Sequence, residues 1–246
     1  VRRALDRVVD LGELARPNDI AFLPGSTTAI VTVEVPPHLV RIDAAGEGFT
    51  KFAIPHKAGH MLALSPDGRT AFVSHVAPGS LSFVDLESGE SRANVPLPLG
   101  AEGIACTPDG RHVWVACNRS GSIAVVDAAE RKVVRTLPCP GFPLRLRISP
   151  DGRTVAASCT LAGELALFST AHPGEAARVA LPDPVTDEPM RPTSIAFTPD
   201  GSAVVAVCDG PRPQLVRVDL ARRAITHRLA AAGPIADALC TGRIAR

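Results

Sequence analysis

The chain has 246 residues, 46% hydrophobic and 21% charged, with a formal net charge of +1. That near-neutral balance, without a cluster of Lys and Arg, removes the basic face that nucleic-acid binding requires. No run approaches the roughly 18 to 20 apolar residues of a membrane-spanning helix, so neither a nucleic-acid partner nor a membrane span is expected.

In chain order, the first element expected is a partial strand within residues 3–12. Val8 stands sixteen residues before Pro24 as Val134 does before Pro150, and an amphipathic helix through Leu5, Val8 and Val9 is the competing reading. From there a turn signature recurs: an eroded Leu23-Pro24-Gly25-Ser26, then Ser65-Pro66-Asp67-Gly68-Arg69, Thr107-Pro108-Asp109-Gly110-Arg111, Ser149-Pro150-Asp151-Gly152-Arg153 and Thr198-Pro199-Asp200-Gly201. The prolines repeat every 42 residues up to Pro150, then after 49. A second landmark lies nineteen residues past each proline, at Asp43, Asp85, Asp127 and Ser169, and one residue later at Asp219.

Between landmarks each repeat reads as four short strands. In the third copy these are Glu102–Cys106, His112–Ala116, Ser122–Val126 and Lys132–Leu137, divided by Pro, Gly, Asn and Asp turns. A unit of this length cannot bury its own apolar faces, and four antiparallel strands per 42 residues match a propeller blade. The expectation is an all-β, single β-propeller domain over 1–246, with repeats at 14–55, 56–97, 98–139, 140–188 and 189–230. A further partial strand is expected within 234–246. Five full blades plus partial terminal strands suggest part of a six- or seven-bladed propeller with unpaired edges prone to association.

The run Val113-Trp114-Val115-Ala116-Cys117-Asn118-Arg119-Ser120-Gly121-Ser122-Ile123-Ala124-Val125-Val126-Asp127, after its TPDGR turn, resembles the YVTN-type β-propeller repeat family, which includes lactonase-like propellers. The likeness spans about residues 14 to 230. It departs from the family where the Asn ending the second strand is replaced by Val33, His75, Cys117, Cys159 and Cys208. The resemblance implies a ligand site at the rim carrying the fourth-to-first and second-to-third strand connections. It does not fix a function.

At that rim the residue six before each proline opens the first strand: Asn18, His60, Glu102, Leu144 and Thr193. Folding about the PDG turn sets these opposite Val33, His75, Cys117, Cys159 and Cys208, so His60 and His75 are expected as neighbours. With His56 in the preceding loop they form a histidine group. It reads first as hydrogen-bonding rim residues and second as weak ligands for a transition metal. No cofactor is otherwise expected. Glu102 is the acidic companion, and Arg147 replaces an alanine on the inner strand and, with Arg145 two residues before it, suggests a cationic wall for an anionic ligand.

The six cysteines show neither a CxxC pair nor zinc-ligand spacing. Cys117, Cys159 and Cys208 lie on successive blades about 10 Å apart, too far for disulfides, and read as buried small hydrophobes. Seven extra residues within 181–191 form a rim loop with three carboxylates but no EF-hand spacing. No GxSxG, HExxH, phosphate-loop or dinucleotide pattern is present.

The functional expectation is a non-enzymatic binding or scaffold propeller offering its rim to a protein or small-molecule ligand. A lactonase-like hydrolase of a lactone or sugar acid, and a periplasmic metal- or haem-binding redox propeller, are the alternatives. A periplasmic or extracellular location is expected, with the cytoplasm as the alternative.

Overall fold

A computed structural model describes residues 8–43, 48–54 and 59–231, and these form five four-stranded antiparallel sheets, each in simple sequence order. The first sheet is β1 (Ala15–Phe22), β2 (Ala29–Val35), β3 (His38–Ile42) and β4 (Phe49–Ala53). The second is β5 (Gly59–Leu64), β6 (Thr70–His75), β7 (Ser80–Asp85) and β8 (Ser91–Pro96). The third is β9 (Ala101–Cys106), β10 (His112–Cys117), β11 (Ser122–Asp127) and β12 (Lys132–Pro138). The fourth is β13 (Pro143–Ile148), β14 (Thr154–Cys159), β15 (Glu164–Ser169) and β16 (Ala177–Ala180). The fifth is β17 (Arg191–Phe197), β18 (Ala203–Asp209), β19 (Gln214–Asp219) and β20 (Ala224–Ala230).

The burial of the strands explains their composition. Second and third strands such as β10 and β11 are buried on both faces and read as unbroken apolar runs, whereas the outermost β12 is mostly exposed. Both faces are covered because the sheets stack on one another. Trp114, Ile123 and Leu137 of the third sheet pack against Leu146, Val155 and Phe168 of the fourth, with the Trp114 and Phe168 rings 6.2 Å apart at 53°. Similar cores join the other neighbouring sheets. Successive first strands touch one another, and each second strand packs on the next sheet's first. The first strands are therefore innermost.

The PDG turns explain their own sequence. Ser65 Oγ donates to Asp67 Oδ1 at 2.5 Å, the same oxygen accepts from Arg69 N, and Thr70 N donates back to Ser65 Oγ. Gly68 supplies the left-handed φ of +69°. The glycines have a second reason. A Cβ at Gly68, Gly110, Gly152 or Gly201 would stand 3.0–3.4 Å from the ring of the preceding turn's proline, Pro24, Pro66, Pro108 or Pro150. The turns are thus stacked proline on glycine along one rim.

Two anticipated features are corrected. Val8–Gly12, the described part of the expected 3–12 strand, lies in no strand. Gly12 N donates to Asp10 Oδ1 and Leu14 N to Leu11 O, forming a turn that brings Leu14 into a cluster with Val31, Val33 and Val40. Residues 1–7 and the expected strand within 234–246 lie outside the described residues. The second correction is register. In every sheet the first strand shifts against the second just where the rim residues sit: Pro17 pairs with Val33, Gly59 with His75, Ala101 with Cys117, Pro143 with Cys159 and Pro192 with Cys208. The bulge moves Asn18, His60, Glu102, Leu144 and Thr193 one place from the pairing expected of them.

Ile20 and Phe22 of β1 stand 56% and 62% exposed. Ile20 holds the repeat position of Leu62, Ile104, Leu146 and Ile195, each buried against the preceding sheet. Among the described residues no strand precedes β1 to cover them.

Candidate functional site

The bulges decide what the inner strands present. A regular ladder would set His60 against His75. Instead Gly59 takes that place, and His60 turns toward the mouth of the axial space, its side chain 23% exposed. His75 is fully buried within its own sheet, Nε2 2.9 Å from Ser82 Oγ. The expected pair of imidazoles is therefore absent. His56 lies outside the described residues.

His60 is held from behind and from both sides. Its carbonyl accepts from Thr32 Oγ1 at 2.8 Å, as the Glu102 carbonyl accepts from Ser74 Oγ, one repeat later, at 2.6 Å. Nδ1 lies 2.8 Å from Glu34 Oε1 and Nε2 lies 3.3 Å from Glu102 Oε1. Asn18 Nδ2 donates to the same Glu34 oxygen at 3.0 Å, and Arg16 Nη2 lies 3.3 Å from Glu34 Oε2. On the far side Arg145 Nη1 donates to Glu102 Oε1 at 2.7 Å, and Asn118 Nδ2 donates to Oε2. Charges thus alternate Arg16, Glu34, His60, Glu102, Arg145 across four sheets. Gly103 makes the last step short: a Cβ there would lie 2.5 Å from Leu144 O, so only glycine lets β9 and β13 approach this closely.

This arrangement biases His60 toward its protonated form and Glu102 toward its ionised form. The hydrogen bond to Glu102 outweighs the burial that disfavours charge and, with Glu34, lifts His60 above its ordinary 6.5. Burial pushes the Glu102 carboxyl up, but His60 and Arg145 outweigh it and hold it below the usual carboxylate value. A protonated imidazole donates from both nitrogens, which suits the two carboxylates here. Among the described residues no group of three His, Cys, Asp or Glu side chains is placed to hold a metal ion.

Beside this chain lies a cavity of about 890 Å³ between the inner strands of the first, second, fourth and fifth sheets. Its polar lining includes Asn18, Asp19, His60, Arg145 and Arg147, and its apolar lining includes Ile20, Phe22, Ile148 and Phe197. Asp19 Oδ2 accepts from Leu62 N at 2.9 Å, tying the first two sheets together. Arg147, set opposite Ala156, donates to Leu146 O at 2.9 Å. The structure thus brings together Asn18, His60, Glu102 and Arg145, sets Arg147 on the same cavity, and leaves His75 out.

Arg16, Glu34 and Asn118 were not anticipated. Their signal lies in the repeat: Glu34 and Asn118 both stand ten residues past a turn proline. Arg16 and Glu34 hold the repeat positions of Arg191 and Asp209, which form their own ion pair at 3.2 Å. Of the carboxylates in the 181–191 loop, Asp183 accepts from Val185 N and Thr186 N within the loop and from the Arg212 guanidinium beyond it, whose hydrogen bonds hold its carboxyl well below the usual range.

Five four-stranded sheets with first strands innermost are the blades of a β-propeller. Among solved structures, the Kuenenia stuttgartiensis hydrazine synthase is similar, with a TM-score of 0.63 and 24% identity, over 69% of this chain and 48% of that one. At that identity the likeness concerns the fold, and this chain matches about half of the other's length. No protein-family model and no curated protein matches the chain.

Proposed function

We propose that this chain is a non-enzymatic binding propeller of the YVTN type that holds a small anionic ligand, such as a carboxylate, in the axial cavity. One observation carries this reading: among the described residues, the ionisable side chains lining the cavity are His60, Arg145 and Arg147 together with Asp19, with His60 raised toward its charged form. In a partly enclosed space cationic groups attract an anion more strongly than in bulk water. Catalysis is less well supported. Glu102 already accepts from three side chains and His60 faces two carboxylates, so neither is poised as a general base.

Titration calorimetry with matched carboxylates, phosphates and neutral amides tests the proposal. Anions should bind and neutral isosteres should not, and Arg147→Ala should weaken binding about ten-fold or more, the worth of one charge-assisted hydrogen bond. Equal binding of neutral and anionic probes, or an unchanged affinity in Arg147→Ala with the fold intact, would overturn it. A lactone-hydrolysis screen whose activity falls with Glu102→Ala would favour the hydrolase instead.

A further inference from the structure

Cys139 and Cys159 lie with their Sγ atoms 3.6 Å apart, both fully buried at the interface of the third and fourth sheets. Their meeting is built into the repeat. The residue thirty-one past one turn proline shares a core cluster with the residue nine past the next: Leu97 with Cys117, Cys139 with Cys159, Leu181 with Cys208. Of these three interfaces only the middle one has sulfur on both sides. Cys159 is buried, as expected of a small hydrophobe, and its sulfur meets the connection between blades rather than its equivalents on other blades.

The pair has a chemical setting that the other described cysteines lack. Arg178 Nη1 lies 3.5 Å from Cys159 Sγ and also donates to Pro140 O and Glu164 Oε1. The hydrogen bond from Cys159, with Arg178 nearby, lowers the Cys139 thiol below its ordinary value, and the same hydrogen bond raises Cys159. Burial alone pushes Cys117 and Cys208 up to about 12.

We infer that Cys139 and Cys159 form a reversible disulfide when the protein meets a hydroperoxide. The Cys139 thiolate attacks one peroxide oxygen; the S–O bond forms, the O–O bond breaks, and the leaving hydroxide is protonated to water. The Cys159 sulfur then attacks the resulting sulfenic acid; the S–S bond forms, the S–O bond breaks, and a second water leaves with the Cys159 proton. Two thiols are oxidised and one peroxide is reduced. Side-chain rotation has to bring the sulfurs from 3.6 Å to about 2.05 Å. The product ties the connection between the third and fourth sheets to β14, six residues before Arg145.

The test treats the native chain with equimolar hydrogen peroxide, alkylates it unfolded without reductant, and maps the peptides by mass spectrometry. The expected result is one linked pair, Cys139 to Cys159, lost on treatment with dithiothreitol, while the equally buried Cys117 and Cys208 stay alkylated. The oxidised chain should melt higher than the reduced one, and Cys139→Ala, which cannot form the link, should show no such shift. Oxidation of Cys106 with Cys139 and Cys159 still alkylated, a link through another cysteine, or Cys139 carried to the sulfinic acid with Cys159 free would each overturn the inference. The map of the unaltered chain decides this even if the variant fails to fold.

Discussion

Replacing Glu102 by Gln keeps the volume of the side chain and removes the charge on which three donors converge. Glu102 is 8% exposed and accepts from His60, Arg145 and Asn118. Removing one member of a buried ion pair costs about 3–5 kcal/mol. Here glutamine still offers one acceptor oxygen and His60 keeps Glu34, so a loss of about 2–4 kcal/mol is expected. For a chain of this size that lowers Tm by about 4–16 °C at pH 6, measurable by scanning calorimetry. The pH dependence is a separate readout. His60 titrates above 6.5 in the folded state, so its contribution is complete below the unfolded value of about 6.5 and fades as pH rises through the raised folded value. The unaltered protein should lose stability from pH 6.5 to 8.5, and Glu102→Gln should lose less of it. A Tm within about 1 °C of the unaltered protein at pH 6, or an undiminished pH slope, would refute the role given to the charge chain.

Three further outcomes are expected. Gly110→Ala puts a Cβ at a φ of +72°, 3.2 Å from Pro66, and should cost about 1–2 kcal/mol in urea unfolding; an unchanged midpoint would count against the stacked turns. Trp114→Ala, at 1% exposure against Phe168, should cost about 3–5 kcal/mol; a smaller loss would mean that the third and fourth sheets close over the cavity. The hydroxyls of Ser65, Thr107 and Ser149, then the backbone NH groups, hold Asp67, Asp109 and Asp151 below 3.8. Their contribution is present above that value and lost as pH falls through the depressed one, so Asp109→Asn should flatten the melting-temperature profile between about pH 5 and 3.

The fold was legible because four of the five turns carry their own sequence reason: a proline, a carboxylate to accept the local NH groups, and a glycine at positive φ. Spacing between such turns then sets strand number. The site was legible only as far as departures from the repeat reach. Asn18, His60, Glu102 and Arg145 stood out as polar residues where other copies differ, and they do meet. His75 stood out equally and does not join them, because a one-residue bulge in the inner strand leaves no mark in the period and sets Gly59 rather than His60 opposite His75. Glu34 and Asn118 sit next to positions that were weighed, and only the three-dimensional arrangement shows that Glu34, backed by Arg16, reaches His60 on the next blade and that Asn118 reaches Glu102 within its own blade. Cys139 was invisible for a similar reason: its partner belongs to the following repeat.

The proline-on-glycine contacts also bear on where this scaffold tolerates change. The fourth-to-fifth interval carries seven additional residues, yet a Cβ at Gly201 would still stand 3.4 Å from the Pro150 ring, because the insertion was absorbed on the opposite rim. One side of the molecule therefore behaves as a fixed-pitch spine, where added or deleted residues would put every later blade out of step. The other side behaves as a set of interchangeable tips, and recognition loops grafted between β12 and β13 or between β16 and β17 would alter what the protein grips without disturbing how its blades are spaced.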